Sequence, residues 1–137
     1  MKNIEFDVNK NNGLTKKELE KLLTVWQDRL RMSDWNISIS IVNFSRKDYK
    51  QSGDFEADIL AKKAKILLTA KPFRGDEEYT LVHELIHILL YDYDKLSEEV
   101  LLDRFDVDSK QHDKYMEKLE ETVHHLTEIL LSRGCNH

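Results

Sequence analysis

From Gly75 to Asp94 the chain carries no lysine or arginine, and Leu81, Val82, Leu85, Ile86, Ile88, Leu89 and Leu90 cover most of the circumference of a helical wheel. A helix so nearly apolar all round has to be buried on most sides, which demands a sheet or further helices packed around it. Thr80, His83, Glu84, His87 and Tyr91 share the one remaining wedge. That wedge must open onto a cleft or an ion, because polar groups enclosed by apolar packing need partners.

The rest of the chain supplies the packing. Residues 1 to 13 are polar, rich in Asn and Lys and end in Gly13, which predicts a flexible N-terminal arm. A first helix is expected from Thr15, where Thr15 and Glu18 fit a capping box and Leu19, Leu22, Leu23, Trp26 and Leu30 keep a helical stripe to about Met32. From Trp35 the period changes to two, with Ile37, Ile39 and Ile41 alternating with Asn36, Ser38 and Ser40. Phe55, Ala57 and Ile59 form the apolar face of a second strand, and Ala64, Ile66, Leu68 and Ala70 that of a third. The short link between these two predicts an antiparallel hairpin.

Pro72, Arg74 and Gly75 close this region, and Asp76 is placed to cap the motif helix, with Glu77 and Glu78 favourable in its first turn. That helix is expected to end near Tyr91 and to be followed by a short helix burying Val100, Leu101 and Phe105. A last helix, from about Lys110 to Ser132 and ended by Gly134, has Tyr115, Leu119, Val123, Leu126 and Leu130 as its core stripe. The expected fold is α+β: helix, small antiparallel sheet of about three strands, motif helix, C-terminal helix, all within one domain over 14–137.

Within the polar wedge, His83-Glu84-Leu85-Ile86-His87 is an HExxH motif. Histidines four apart lie on one face, about 6 Å apart along the axis, so both imidazoles reach one ion. Glu84 lies about 100° round the helix from His83, where it can touch a metal-bound water, the position of a general base. Two histidines acting only as core residues would each need a separate hydrogen-bond partner, so the paired spacing favours a metal.

A catalytic zinc takes three protein ligands and keeps a fourth position for water. The third ligand must therefore come from later in the chain. On the last helix Glu120 lies about 80° from the centre of the apolar stripe, whereas Glu117, Glu121 and Glu128 point away from it. Glu120 is the first choice, Glu121 the second, since a skewed helix would exchange them. His112, near the stripe centre, is an alternative ligand or an oxyanion donor; Tyr91 and Tyr115 are the other candidate donors. The free edge of the third strand, just before the motif helix, offers backbone pairing to an extended peptide.

LVHELIHILL followed by LEETVHHLTEILL, with the earlier DWNISISIV and AKKAKILL segments, resembles the small zincin metallopeptidases of bacterial and phage genomes, of minimal gluzincin type. The resemblance covers most of residues 15 to 132. It implies a first helix, a short curved sheet, an HExxH helix and a helix bearing a glutamate ligand. It further implies zinc held by His83, His87 and one of Glu120 and Glu121, Glu84 as base, and peptide-bond hydrolysis. The chain departs from related patterns in two places. Leu90 and Tyr93 stand where metzincins extend the motif with Gly and His, and His124 stands four residues after Glu120, where many gluzincins have an Asp supporting a zinc histidine.

Composition narrows the function classes. Acidic side chains number 26 against 21 basic ones, and the basic ones are scattered, which argues against nucleic-acid or membrane-surface binding. The longest apolar run, broken by His87, is far short of the roughly 20 residues of a membrane span, and Met1 to Lys10 has no apolar signal core. The single cysteine, Cys135, cannot form an intrachain disulfide. A cytoplasmic location is expected, with a protein or peptide substrate as partner. The competing expectation is a non-catalytic, zinc-stabilised protein-binding domain of a phage-derived module. Retention of Glu84 favours the enzyme, because a structural site needs no such carboxylate and is more often closed by a fourth protein ligand.

Overall fold

The computed structural model describes residues 3–7, 13–44, 53–71 and 77–131. Pro72, Arg74, Gly75 and Asp76, expected to turn the chain into the motif helix, and Gly134 and Cys135 lie outside them. In chain order the elements are β1 (Asn3–Phe6), α1 (Lys16–Arg29), β2 (Asn36–Val42), β3 (Gly53–Asp58), β4 (Lys63–Thr69), α2 (Glu77–Leu102) and α3 (Lys110–Leu131). The class is α+β, with the four strands forming a mixed sheet in the order β1-β2-β4-β3.

Helix α1 begins as its sequence requires. The Thr15 hydroxyl accepts from Glu18 N–H and the Glu18 carboxylate accepts from Thr15 N–H, a reciprocal capping box. Thr15→Ala should therefore cost about 1 kcal/mol, read as a lower urea midpoint with an unchanged slope. The helix stops at Arg29 rather than near Met32. Arg31 takes a left-handed φ of 59°, and its N–H and that of Met32 donate back to the Asp28 and Gln27 carbonyls in a Schellman-type end. Met32 is still fully buried, and the buried Gln27 amide donates to the Met32 and Trp35 carbonyls, tying this turn to β2.

The sheet corrects the expectation of about three antiparallel strands. Asn3–Phe6, expected to be part of a flexible arm, is β1 and pairs in parallel with β2; β2 also pairs in parallel with β4, and only β3–β4 is antiparallel. Four residues with two apolar positions are too short a run for periodicity to reveal, and the strand is specified by the neighbour that supplies its hydrogen bonds. Register aligns Ile4, Ile39, Ile66 and Phe55 in one row across the sheet, and Ile41, Leu68 and Gly53 in another. Ile4, Ile37, Ile39, Ile41, Ala64, Ile66 and Leu68 join α1 and α2 in the core, while β3 places Glu56 opposite Lys65 and Asp58 opposite Lys63 on the other face. Because β4 lies between β2 and β3, it has no free edge. The edge beside α2 belongs to β3.

Helix α2 is a single element of 26 residues, not a motif helix followed by a short one. No Gly or Pro interrupts it, and acidic residues in a helix interior cost only tenths of a kcal/mol. Val100 and Phe105, expected to be buried, are exposed. Ser109 caps α3 by accepting from His112 N–H. The buried positions of α3 are His112, Val123 and Thr127, with Leu119 and Leu131 partly buried; Leu126 and Leu130, expected in the stripe, are exposed. The stripe follows His112, Tyr115, Leu119 and Val123 and then drifts to Thr127, because a helix of 3.6 residues per turn packed on one neighbour changes its buried face along its length. No helix of the described residues is long and apolar enough to cross a membrane.

Candidate metal centre

Burial of Leu81, Val82, Leu85, Ile86 and Ile88 fixes the rotation of α2, so that His83, Glu84 and His87 face α3 and β3. Val123, fully buried, fixes α3 in turn. Glu120, three residues earlier, is thereby carried over both histidines: its carboxylate oxygens lie 2.8 Å from His87 Nε2 and 3.4 Å from His83 Nε2. One ligand atom from each of the three residues falls within 4.8 Å of the others. The edge of a tetrahedral shell at zinc–ligand distances of about 2.0–2.1 Å is about 3.3 Å, so the two histidine–glutamate separations bracket it. Two imidazole nitrogens and one carboxylate suit a borderline transition metal rather than the all-oxygen shell of calcium or magnesium. The residues fit the group. His83 Nδ1 is buried and has no hydrogen-bond partner among the described residues, and its ring packs against Tyr79, with ring centroids 6.0 Å apart, and against His87.

Glu120 and Glu84 differ sharply in their electrostatics. Hydrogen bonds from His83 and then His87 hold the Glu120 carboxyl well below its ordinary range. Glu84 is only 7% exposed, and burial pushes its carboxyl up to about 7; His83 opposes this, while Asp54 and Glu120 add to it. A carboxyl raised on folding binds extra protons in the native state between about pH 4.5 and 7, so its folded-state cost appears as pH rises through that window. In metal-free protein, Glu84→Gln should raise stability at pH 8 by up to about 3 kcal/mol and much less at pH 5, measured by urea unfolding in chelator.

Two residues of β3 that sequence reasoning did not assign to the site complete its wall. Phe55, aligned with Ile66, stacks on the His87 ring at 5.7 Å and meets Tyr91 edge-on at the same distance. Gly53 allows α2 to approach: a Cβ there would lie 2.6 Å from Thr80 Cγ2, 3.2 Å from the Leu67 carbonyl oxygen and 3.3 Å from Glu84 Oε2. A glycine opening an alternating strand is the one local signal of such an approach.

The other candidates are placed elsewhere. Glu121 is turned outward and pairs with Lys118 at 3.1 Å. His112 is buried against Glu98, with Nε2 2.8 Å from Oε2, and Tyr115 donates to the Asp94 carbonyl and carboxylate. Neither reaches the triad, because each lies a turn or more toward the α2–α3 connection. Tyr91, one turn after His87, stays at the site through Phe55. His124 meets the Tyr79 hydroxyl through Nδ1 and Glu128 Oε1 at 3.3 Å through Nε2, rather than supporting a histidine of the triad. No family model, curated protein or solved structure matches this chain.

Proposed function

We propose that this protein is a zinc-dependent metallopeptidase, with His83, His87 and Glu120 as metal ligands and Glu84 as general base. The observation that carries this reading is the pairing of an open three-ligand set with a buried carboxylate in the same wedge: Glu84 is enclosed between α2 and β3 while Glu120 arrives from α3. A zinc ion held there would supply an activated water and draw electron density from a substrate carbonyl. Glu84 accepts the proton of the attacking water and returns it to the leaving amine. Its raised proton affinity suits both halves of that task near neutral pH. Tyr91, whose hydroxyl is not engaged by the described residues, is the oxyanion donor among the three sequence candidates, since Tyr115 and His112 are held by Asp94 and Glu98.

Backbone pairing along β3, the free edge beside the triad among the described residues, would hold an extended stretch of substrate. The rival reading of a structural zinc site accounts for the triad but leaves a costly buried carboxyl at Glu84 without a purpose. The test is metal analysis of the purified protein together with cleavage of an unfolded-protein mixture read by mass spectrometry. One zinc per chain, with cleavage abolished by chelation and restored by zinc, is expected. A metal-free protein rules out both readings, and bound zinc without any cleavage leaves the structural one.

A further inference from the structure

We infer that the far half of α2 is a self-association surface on which a second copy of this chain docks antiparallel. The basis is one stripe of side chains that begins in the core and ends in solvent. Val82, Ile86, Leu89, Tyr93, Leu96 and Val100 are spaced alternately four and three residues apart, the seam of a coiled coil. Val82 and Ile86 are buried, but Leu89, Tyr93, Leu96 and Val100 are 50%, 73%, 60% and 66% exposed. The cause is length. The 26 residues of α2 span about 39 Å, whereas the longest strands, of seven residues, span about 23 Å. The apolar pattern that seats the first half therefore continues past the body, and none of the described residues covers it. Scattered exposed apolar residues are ordinary, whereas four in register on one helix face form a contiguous patch.

The stripe is complementary to itself when reversed. With two copies antiparallel, Leu89 lies opposite the partner's Val100, and Tyr93 opposite the partner's Leu96, so all four positions form closed layers related by a two-fold axis. In the same register the end of the partner's α2, Leu102, reaches the axial level of His87 on the stripe face, one residue from Ile86, where the stripe goes under this chain's own core. The protruding half of one copy thus fills the uncovered half of the other. A parallel pairing would drive the two bodies into each other, since both cover the seam at Val82 and Ile86. Phe105 and Val107, exposed in the turn after α2, would then lie against the partner's body. Covering most of the exposed parts of Leu89, Tyr93, Leu96, Val100, Leu102, Phe105 and Val107 in both copies would bury roughly 1,200 Å², the lower end of a specific interface. The metal wedge lies about 160° round the helix from the stripe and stays open in both copies.

The rim is not optimised: Asp92 comes beside the partner's Glu99, a like-charge contact that salt screens. Association should therefore strengthen with salt, the reverse of an interface held by opposite charges. Sedimentation equilibrium of the full chain at about 10 to 200 µM tests the proposal. A mass rising toward twice 16.3 kDa is expected, with tighter association on raising sodium chloride from about 50 to 500 mM. Tyr93→Glu and Leu96→Glu should each weaken association at least about tenfold while keeping the wild-type circular dichroism, because both side chains are already solvated in the monomer. In a Cys135→Ser background, Leu89→Cys with Val100→Cys should form an intermolecular disulfide, and Val100→Cys alone should not, since the two copies of position 100 stand about 16 Å apart along the axis. A wild type that stays monomeric at 200 µM, variants that dimerise as wild type, or cross-linking through Val100→Cys alone would each overturn it.

Discussion

Glu84→Gln is expected to keep zinc bound at one per chain and to lose peptide hydrolysis by about 10²–10⁴-fold in kcat/KM. Glutamine has nearly the shape of glutamate, so the packing between Thr80, Gly53 and Glu84 that seats β3 on α2 survives the exchange. An amide cannot take a proton from water, and the loss is one of chemistry rather than of binding. Metal content and activity must therefore separate in this variant, whereas in His83→Ala or His87→Ala they should fall together. Metal lost along with activity in Glu84→Gln would mean that the carboxylate is part of the ligand shell and not the base. Unchanged hydrolysis would remove Glu84 from the mechanism altogether.

Glu120→Ala should lower metal affinity by more than the roughly 10–100-fold that loss of an outer partner costs, while Glu121→Ala leaves it unchanged. Competition titration against a chromogenic chelator reads both. The two glutamates are neighbours, yet one bridges His83 and His87 and the other pairs with a lysine in solvent. A second effect is expected in Glu120→Ala. Few α3 side chains are buried, and much of its attachment to α2 is polar: Glu120 to the two histidines, His112 to Glu98, Tyr115 to Asp94 and His124 to Tyr79. A metal held between α2 and α3 would then also contribute folding energy to α3. Amide exchange over 110–131 should be slowed by zinc in wild type and not in Glu120→Ala.

Much of this was legible in short stretches of chain. The Thr15–Glu18 cap, the Ile37-Ile39-Ile41 alternation, the hairpin between β3 and β4 and the polar wedge of α2 are each set by contacts within a few residues, and periodicity reports such contacts directly. Glu120 was legible for a related reason. Its angle from Val123 is a property of one helix, so whatever buried Val123 had to bring Glu120 with it.

What depended on a distant partner was not legible. Asn3–Phe6 is a strand because β2 offers it an edge, and β4 is interior because β3 crosses to its far side, which makes β3 the edge strand beside the triad among the described residues. Leu126 and Leu130 continue an apolar stripe that the packing of α3 leaves exposed, as α2 leaves Leu89, Tyr93, Leu96 and Val100. The amino-acid pattern by itself determined which residues share a face, and with it the histidine pair, Glu84 beside it and the angle of the Glu120 carboxylate. Only the tertiary structure decided which faces are covered, which strand borders the site and which histidines and tyrosines are held away from it. Side-chain phase is a property of the local backbone, whereas coverage is settled by elements far apart in the chain that compete for the same apolar surface.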